Sequence, residues 1–284
     1  MKHRPPNRIR SRLEVLRARG EGAFVPFLVI GDPDLETSLA VADALVAAGA
    51  DALEIGLPFS DPPADGPVIQ AADVRALAAG TRVDDCFVWL AEVSRRHPDV
   101  PISLLIYFNL VMQQGIERFY ERAAAAGVDA VLVADVPLEE SAPLVAAARA
   151  HRVAPVFIAS ELTTDARLGA LAAVADGYVY AVARVGITGE QHAVSASLAG
   201  HISRFRAAFE LPILVGFGVS SPDHVRAVLD AGADGAICGS AIVRRIADHL
   251  DDRAAMIAAI HDFAGTMKAV GLAAPARGLG SAEL

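Results

Sequence analysis

The chain has 284 residues, 54% hydrophobic and 6% aromatic, with a formal charge of −9 and a pI near 5.3. That length fits one large barrel or two ordinary domains, and the acidic balance argues against a nucleic-acid surface. No apolar run reaches the ~20 residues a membrane span needs, the first residues lack a secretory signal, and Cys86 and Cys238 make no disulfide framework, so a cytoplasmic protein is expected.

Residues 1–20 carry arginines from Arg4 to Arg19, but Glu14 and the leucine spacing predict an amphipathic helix with a solvated basic face. Short runs rich in Val, Ile and Leu then alternate with Ala-rich helical stretches. Strands are predicted at 23–30, 52–56, 102–108, 130–134, 154–159, 177–183, 213–215 and 235–238. Helical patterns fall at 35–48, 83–97, 116–126, 138–151, 165–175, 198–209 and 222–231. Continuously apolar strands imply a parallel sheet covered on both faces. Gly49, Gly127 and Gly232 stand where helices end, in the repeated joints Gly-Ala-Asp, Gly-Val-Asp and Gly-Ala-Asp. Eight β/α units without a linker predict a single (β/α)8 TIM barrel over 1–284, with an extra N-terminal helix and a frayed tail at 273–284. A doubly wound open sheet is the alternative, although no G-x-G-x-x-G follows the first strand.

In such a barrel the chemistry belongs at the carboxyl ends of the strands. The second strand carries Glu54 among apolar neighbours, and the proline-rich loop behind it carries Asp61 and Asp65. A carboxylate in a strand that reads as core loses hydration in its charged form, the tuning a general acid/base needs near neutral pH. The glycines after strands seven and eight, Gly216, Gly218 and Gly239, with Ser240 able to open a short helix, suit a phosphate. The segment 184–190, with Gly186 and Gly189 around Thr188, suits a mobile lid whose Gly189 amide reaches the same phosphate. Phe27, Leu105, Leu132, Ile158, Tyr180 and Phe217 near the strand ends offer a flat apolar slot. Lys2 and Lys268 are the only lysines, near the two ends, so no Schiff-base residue is obvious. No H-x-H, H-E-x-x-H or C-x-x-C spacing indicates a metal. On these residues alone the reading stops at a phosphate-binding barrel enzyme working by carboxylate acid/base chemistry, an isomerase among the options.

Leu-Glu-Ile-Gly-Leu-Pro-Phe-Ser-Asp-Pro-Pro-Ala-Asp-Gly at 53–66 closely resembles the signature of tryptophan synthase α subunits. The likeness extends to Gly-Ala-Phe-Val-Pro-Phe at 22–27 with Gly-Asp-Pro at 31–33, Val-Leu-Val-Ala-Asp-Val-Pro at 131–137, Gly-Ile-Thr-Gly at 186–189 and Gly-Phe-Gly-Val at 216–219, all in order. The resemblance implies retro-aldol cleavage of indole-3-glycerol phosphate to indole and glyceraldehyde 3-phosphate. It implies that Glu54 protonates the indole ring carbon and helps deprotonate the side-chain hydroxyl, while Asp65 accepts from the indole N–H. It further implies that Gly189, Gly218, Gly239 and Ser240 hold the phosphate, and that Phe27, Leu105, Tyr180, Thr188 and Phe217 line the substrate site. It implies no cofactor or metal in this chain, with pyridoxal phosphate confined to a β subunit paired in an α2β2 heterotetramer. Asp61, Pro62, Asn109, Met112 and Gln113 match positions that meet that partner. Pro63, Val185 and Phe-Asn-Leu at 108–110 depart from the commoner forms, which leaves a free-standing indole-releasing lyase, or a silent barrel that only activates a β subunit, as the other readings.

Overall fold

The computed structural model describes residues 7–182 and 191–272. The lid segment 184–190 with Thr188 and Gly189, and the tail at 273–284, lie outside the described residues. Nine strands are described: β1 (Ala23–Val29), β2 (Leu53–Gly56), β3 (Ile102–Ile106), β4 (Ala130–Val133), β5 (Ala154–Pro155), β6 (Phe157–Ser160), β7 (Val179–Val182), β8 (Ile213–Gly216) and β9 (Gly235–Cys238). They pair in parallel in the order β5-β4-β3-β2-β1-β9-β8-β7-β6.

The predicted fifth strand is β5 and β6 together. Ala154 N donates to Asp129 O at 2.8 Å and Val156 N to Val131 O at 3.0 Å, so the first half extends β4, whereas Phe157–Ser160 pairs with β7. One run thus joins both edges of the sheet and closes the barrel. Pro155 has no N–H to give the ladder, which interrupts the strand where it changes partners.

Helices surround this barrel: α1 (Arg8–Ala18), α2 (Leu35–Ala47), α3 (Pro67–Ala78), α4 (Val83–Arg96), α5 (Phe108–Met112), α6 (Ile116–Ala125), α7 (Ala142–Ala150), α8 (Asp165–Ala172), α9 (Gln191–Ala208), α10 (Pro222–Asp230), α11 (Ser240–Ala247) and α12 (Arg253–Leu272). Side-chain caps start several of them; Asp34 Oδ1 accepts from Thr37 N at 2.7 Å ahead of α2. Three helices were not expected from sequence. α3 opens on Pro67 behind Gly66 with no side-chain cap, and α12 is too uniformly apolar to show a polar face. α5 exists because the third strand stops at Ile106 and Asp135 Oδ1 accepts from Phe108 N at 2.7 Å. The expected helix 138–151 divides into a 3-10 turn, Leu138–Glu140, and α7. Pro143 lacks an N–H and is tolerated only in a first turn, so a new helix must begin there.

The barrel interior is filled by Val25, Ala52, Leu132, Tyr178, Tyr180, Leu214 and Ile237, and Ile9, Leu13 and Leu16 of α1 pack against this cluster. α1 is therefore part of the core, each of those side chains contributing roughly 1.5–3 kcal/mol by burial. Its basic face is in part exposed, as expected from sequence, yet three of its arginines also reach buried carboxylates at the amino ends of the strands. The aspartates of the three glycine joints are buried there and each accepts from an N–H at the start of a neighbouring strand. Asp51 Oδ2 accepts from Phe24 N at 2.9 Å, Asp129 Oδ2 from Ile102 N at 3.0 Å and Asp234 Oδ2 from Ile213 N at 2.8 Å. Arg12 reaches Asp51 at 2.9 Å, Arg8 holds Asp129 at 2.7 Å, and Arg17 lies 3.7 Å from Asp234. Lys268 of α12 also pairs with Asp51, at 2.7 Å. Buried carboxylates require such partners, so one helix face answers three joints.

Candidate active site

Glu54 stands on β2 in register with Phe27 of β1 and Ser103 of β3. It is 1% exposed, and Tyr178 Oη donates to its Oε1 at 3.1 Å. Burial pushes its carboxyl up to about 8; the charge of Asp65 adds to the rise, and the tyrosine hydrogen bond opposes it. A carboxyl so placed holds a proton at neutral pH and can give it up within the physiological range.

Asp65 lies on the loop between β2 and α3, half-buried, with Tyr107 Oη donating to its Oδ2 at 2.7 Å. Burial raises this carboxyl too, against the lowering effect of the Tyr107 hydrogen bond. The loop is pinned at both ends. Phe59 stacks on Tyr107 with ring centroids 5.4 Å apart, and Gln70 Nε2 donates to Asp65 O at 2.9 Å. Beneath it Asp73 of α3 accepts from Phe59 N at 3.4 Å; burial, then the charge of Asp65, pushes its carboxyl up to about 7.

Two other acids that follow strands are placed differently. Asp32 is buried away from the cavity and holds Arg75 of α3, with Nε and Nη2 at 2.7 and 2.9 Å. Asp61 is exposed beside Ser60.

Glu54 and Asp65 face one cavity of about 380 Å³ at the carboxyl ends of the strands. Phe27, Leu105, Tyr180 and Phe217 line its apolar part. Tyr180 and Phe217 meet edge-on with centroids 6.2 Å apart. Gly216 makes room for this pair, because a Cβ there would sit 2.1 Å from Tyr180 Oη. Leu132 and Ile158 do not join the slot; they line a separate cavity of about 90 Å³.

The other end of the large cavity is built from Gly218, Gly239 and Ser240. Phe217 and Gly218 take φ of 69° and 82°, turning the chain sharply after β8; for a non-glycine residue such a backbone costs on the order of 1–3 kcal/mol. Gly239 caps α11 without a side-chain hydrogen bond. The first-turn N–H groups of α11, which have no intrahelical acceptor, stand at this end with the positive pole of the helix dipole. An anion is the natural guest.

Sequence reasoning missed several contributors. Tyr107 follows the third strand directly, and Tyr178 precedes Tyr180 by the two residues that place both on one face of the chain; they stand 42 and 124 residues from the acids they bond, Asp65 and Glu54, so no local signal pointed to them. Arg244 of α11, exposed, brings the one positively charged side chain in the described wall. Among the described residues no group of three or more His, Cys, Asp or Glu is placed to hold a metal. No described helix is long and apolar enough to cross a membrane.

The family model described as the tryptophan synthase alpha chain matches residues 13–271. The tryptophan synthase alpha chain of Cronobacter sakazakii is 51% identical over 259 residues, 91% of this chain and 96% of that one. That of Shewanella amazonensis is 49% identical over 263 residues, 93% and 99% of the two chains. The solved tryptophan synthase subunit alpha from Legionella pneumophila superposes with a TM-score of 0.86 at 31% identity, covering 93% of this chain and 98% of that one. A chain of the tryptophan synthase complex from Pyrococcus furiosus gives 0.78 at 33% identity, covering 87% and 98%. With acids, apolar slot and glycine-built anion cradle in one cavity, and these likenesses along nearly its whole length, the chain belongs to the tryptophan synthase alpha chain family, whose reaction is the cleavage of indole-3-glycerol phosphate.

Proposed function

We propose that Glu54 and Asp65 carry that cleavage and that the two ends of the cavity sort the two halves of the substrate. The indole ring lies among Phe27, Leu105, Tyr180 and Phe217. The phosphate lies on the amides of Gly218, Gly239 and Ser240, with Gly189 and Thr188 completing the site from the lid. Protonated Glu54 gives its proton to the ring carbon that bears the side chain. The indole N–H hydrogen-bonds to Asp65, whose charge stabilises the cation that forms. Ionised Glu54 then takes the proton of the adjacent side-chain hydroxyl. The carbon–carbon bond breaks, its electrons return to the ring, and indole and glyceraldehyde 3-phosphate leave with Glu54 protonated again. The observation that carries this reading is a fully buried carboxyl, pushed up to about 8, in one cavity with a glycine-built anion site.

The family is not known for a cofactor of its own. We propose that pyridoxal phosphate belongs to a β partner, in an α2β2 assembly like the one named for Pyrococcus furiosus, and that the setting is cytoplasmic. Asp61, Asn109, Met112 and Gln113 are exposed beside the cavity mouth while Pro62 is buried, so four of the five positions suit contact with that partner. The test is indole release from indole-3-glycerol phosphate by the purified chain, with and without a cognate β subunit. Slow release that rises at least tenfold with the partner is expected. Fast release indifferent to the partner would replace coupling by a free-standing lyase, and no release in either condition would overturn the reaction.

Gly218→Asp tests the phosphate end. The substitution strains a backbone at φ 82° and sets a negative charge where charge-assisted hydrogen bonds worth about 1.5–3 kcal/mol are proposed. The substrate KM should rise about 10- to 100-fold. An unchanged KM in steady-state assays would move the phosphate elsewhere.

A further inference from the structure

Glu54 has to serve as an acid and then as a base while remaining 1% exposed, so the buried surroundings must satisfy both of its protonation states. Tyr178 alone cannot do this well. Its hydroxyl has one proton; it donates to the ionised carboxylate, and if it instead accepts from the protonated one, that proton needs another acceptor. Ser103 supplies one. It is wholly buried on β3, directly across from Glu54 in the strand register, and its Oγ lies 3.0 Å from Tyr178 Oη, with either oxygen able to donate. Tyr178 Oη in turn lies 3.1 Å from Glu54 Oε1.

We propose that Ser103 is a positioning residue for the reaction, the far end of a two-hydroxyl chain, Ser103–Tyr178–Glu54, that reverses direction each time Glu54 gains or loses its proton. With Glu54 ionised, the serine hydroxyl donates to the tyrosine oxygen and the tyrosine hydroxyl to the carboxylate. With Glu54 protonated, the carboxyl donates to the tyrosine and the tyrosine to the serine. Apart from the proton that Glu54 exchanges with the substrate, none enters or leaves the chain, and no covalent bond changes between heavy atoms; only the donors exchange roles. In the first arrangement the serine polarises the tyrosine O–H and strengthens its bond to the carboxylate, since chained hydrogen bonds reinforce one another. Ser103 does not line the substrate cavity, so it acts on the acid without touching substrate.

This inference rests on the proposed role of Glu54. The groups facing Glu54 are Tyr178 immediately before β7, Tyr180 on β7, Ser103 from β3 and Asp65 from the loop after β2. The charge of Asp65 is present in wild type and variant alike. Ser103→Ala removes an acceptor from the protonated state and a donor from the ionised one; the chain ending on a charged carboxylate is the stronger of the two, so the fall in single-turnover indole release at alkaline pH should move upward by about half a pH unit. The substrate KM should stay within about twofold. In a Tyr178→Phe background, the same serine substitution should move the limb no further, because the chain is already cut.

A limb unchanged by Ser103→Ala, or a shift of the same size with and without Tyr178, would overturn the inference. Glu54→Gln separates the two possible failures. If that variant is inactive while Ser103→Ala leaves the limb in place, only the hydroxyl chain is lost; if it remains active, the assignment of Glu54 fails as well.

Discussion

Glu54→Gln is expected to lower the rate of indole release by at least 10²- to 10⁴-fold, the range of a general acid/base, while substrate still binds. The amide keeps the shape of the side chain and can still accept from Tyr178 Oη, which lies 3.1 Å from the carboxylate. It cannot give a proton to carbon or take one from a hydroxyl. A second signature separates this loss from damage to the fold. The folded value of Glu54, about 8, lies above its ordinary value of 4.5, so between those limits the folded chain holds a proton that the unfolded chain has released. The stability linked to that proton is full below the unfolded value and is lost as pH rises through the folded one. Glutamine has nothing to titrate. The variant should therefore gain in melting temperature relative to wild type as pH is raised from 5 to 9, while remaining inactive throughout. Indole release and thermal melts over that range check both halves. Substantial residual turnover would remove Glu54 from the central role, and a difference in melting temperature that does not change with pH would mean that its carboxyl is not held protonated by burial.

That coupling explains why the acid was legible in the sequence. A carboxylate in a run such as Ala-Leu-Glu-Ile-Gly violates the pattern that makes the strand, and a violation of local pattern marks either strain or function. The eight-unit alternation was equally readable, because a parallel barrel needs apolar strands and short glycine-ended joints, both of which are local properties. What the sequence did not show is whatever depends on long-range pairing. Asp51, Asp129 and Asp234 look like loop acids until the barrel closes and each finds an N–H at the start of a neighbouring strand. Arg8, Arg12 and Arg17 look like nothing more than a solvated face until α1 is seated under the barrel and each, still partly exposed, reaches an aspartate. Tyr178 and Ser103 stand 75 residues apart, and nothing local distinguishes them from ordinary filling. Leu132 and Ile158 err the other way: near the strand ends in sequence, they line a different cavity. Helices α3 and α12 were missed for a simpler reason. Helix α3 opens without a side-chain cap, and α12, although Asp252 Oδ1 accepts from Ala255 N at its start, is too evenly apolar to show a helical face.

The two ends of the barrel thus use carboxylates in opposite ways. At the carboxyl end Glu54 and Asp65 have tyrosine hydroxyls for partners and no cation among the described residues, so burial raises both. At the amino end the buried aspartates are surrounded by arginines and a lysine and serve the fold.

Asp51→Ala tests that second use and should be the most destabilising single change at the amino end. Asp51 accepts from Phe24 N at 2.9 Å, from Arg12 at 2.9 Å and from Lys268 at 2.7 Å. Truncation leaves a strand N–H without its acceptor and a buried lysine without its counter-charge. Breaking a buried ion pair by removing one partner costs about 3–5 kcal/mol, chiefly because the remaining charge stays desolvated. The cost should therefore be recoverable from the other side. In Asp51→Ala combined with Lys268→Met no buried cation remains, and the methionine chain can fill much of the space of the lysine stem, so most of the loss should return. Arg12 contributes less to the deficit, because it is partly exposed and can turn to water. Urea unfolding of wild type, both single variants and the double variant forms the required cycle, with indole release per folded molecule as the control. Release should be unaffected, since Asp51 lies at the opposite end of the strands from Glu54 and Asp65. A loss below about 1 kcal/mol in Asp51→Ala would mean that Lys268 reaches water when its partner is removed. No recovery in the double variant would mean that the strand N–H of Phe24, and not the stranded ammonium, accounts for what Asp51 contributes.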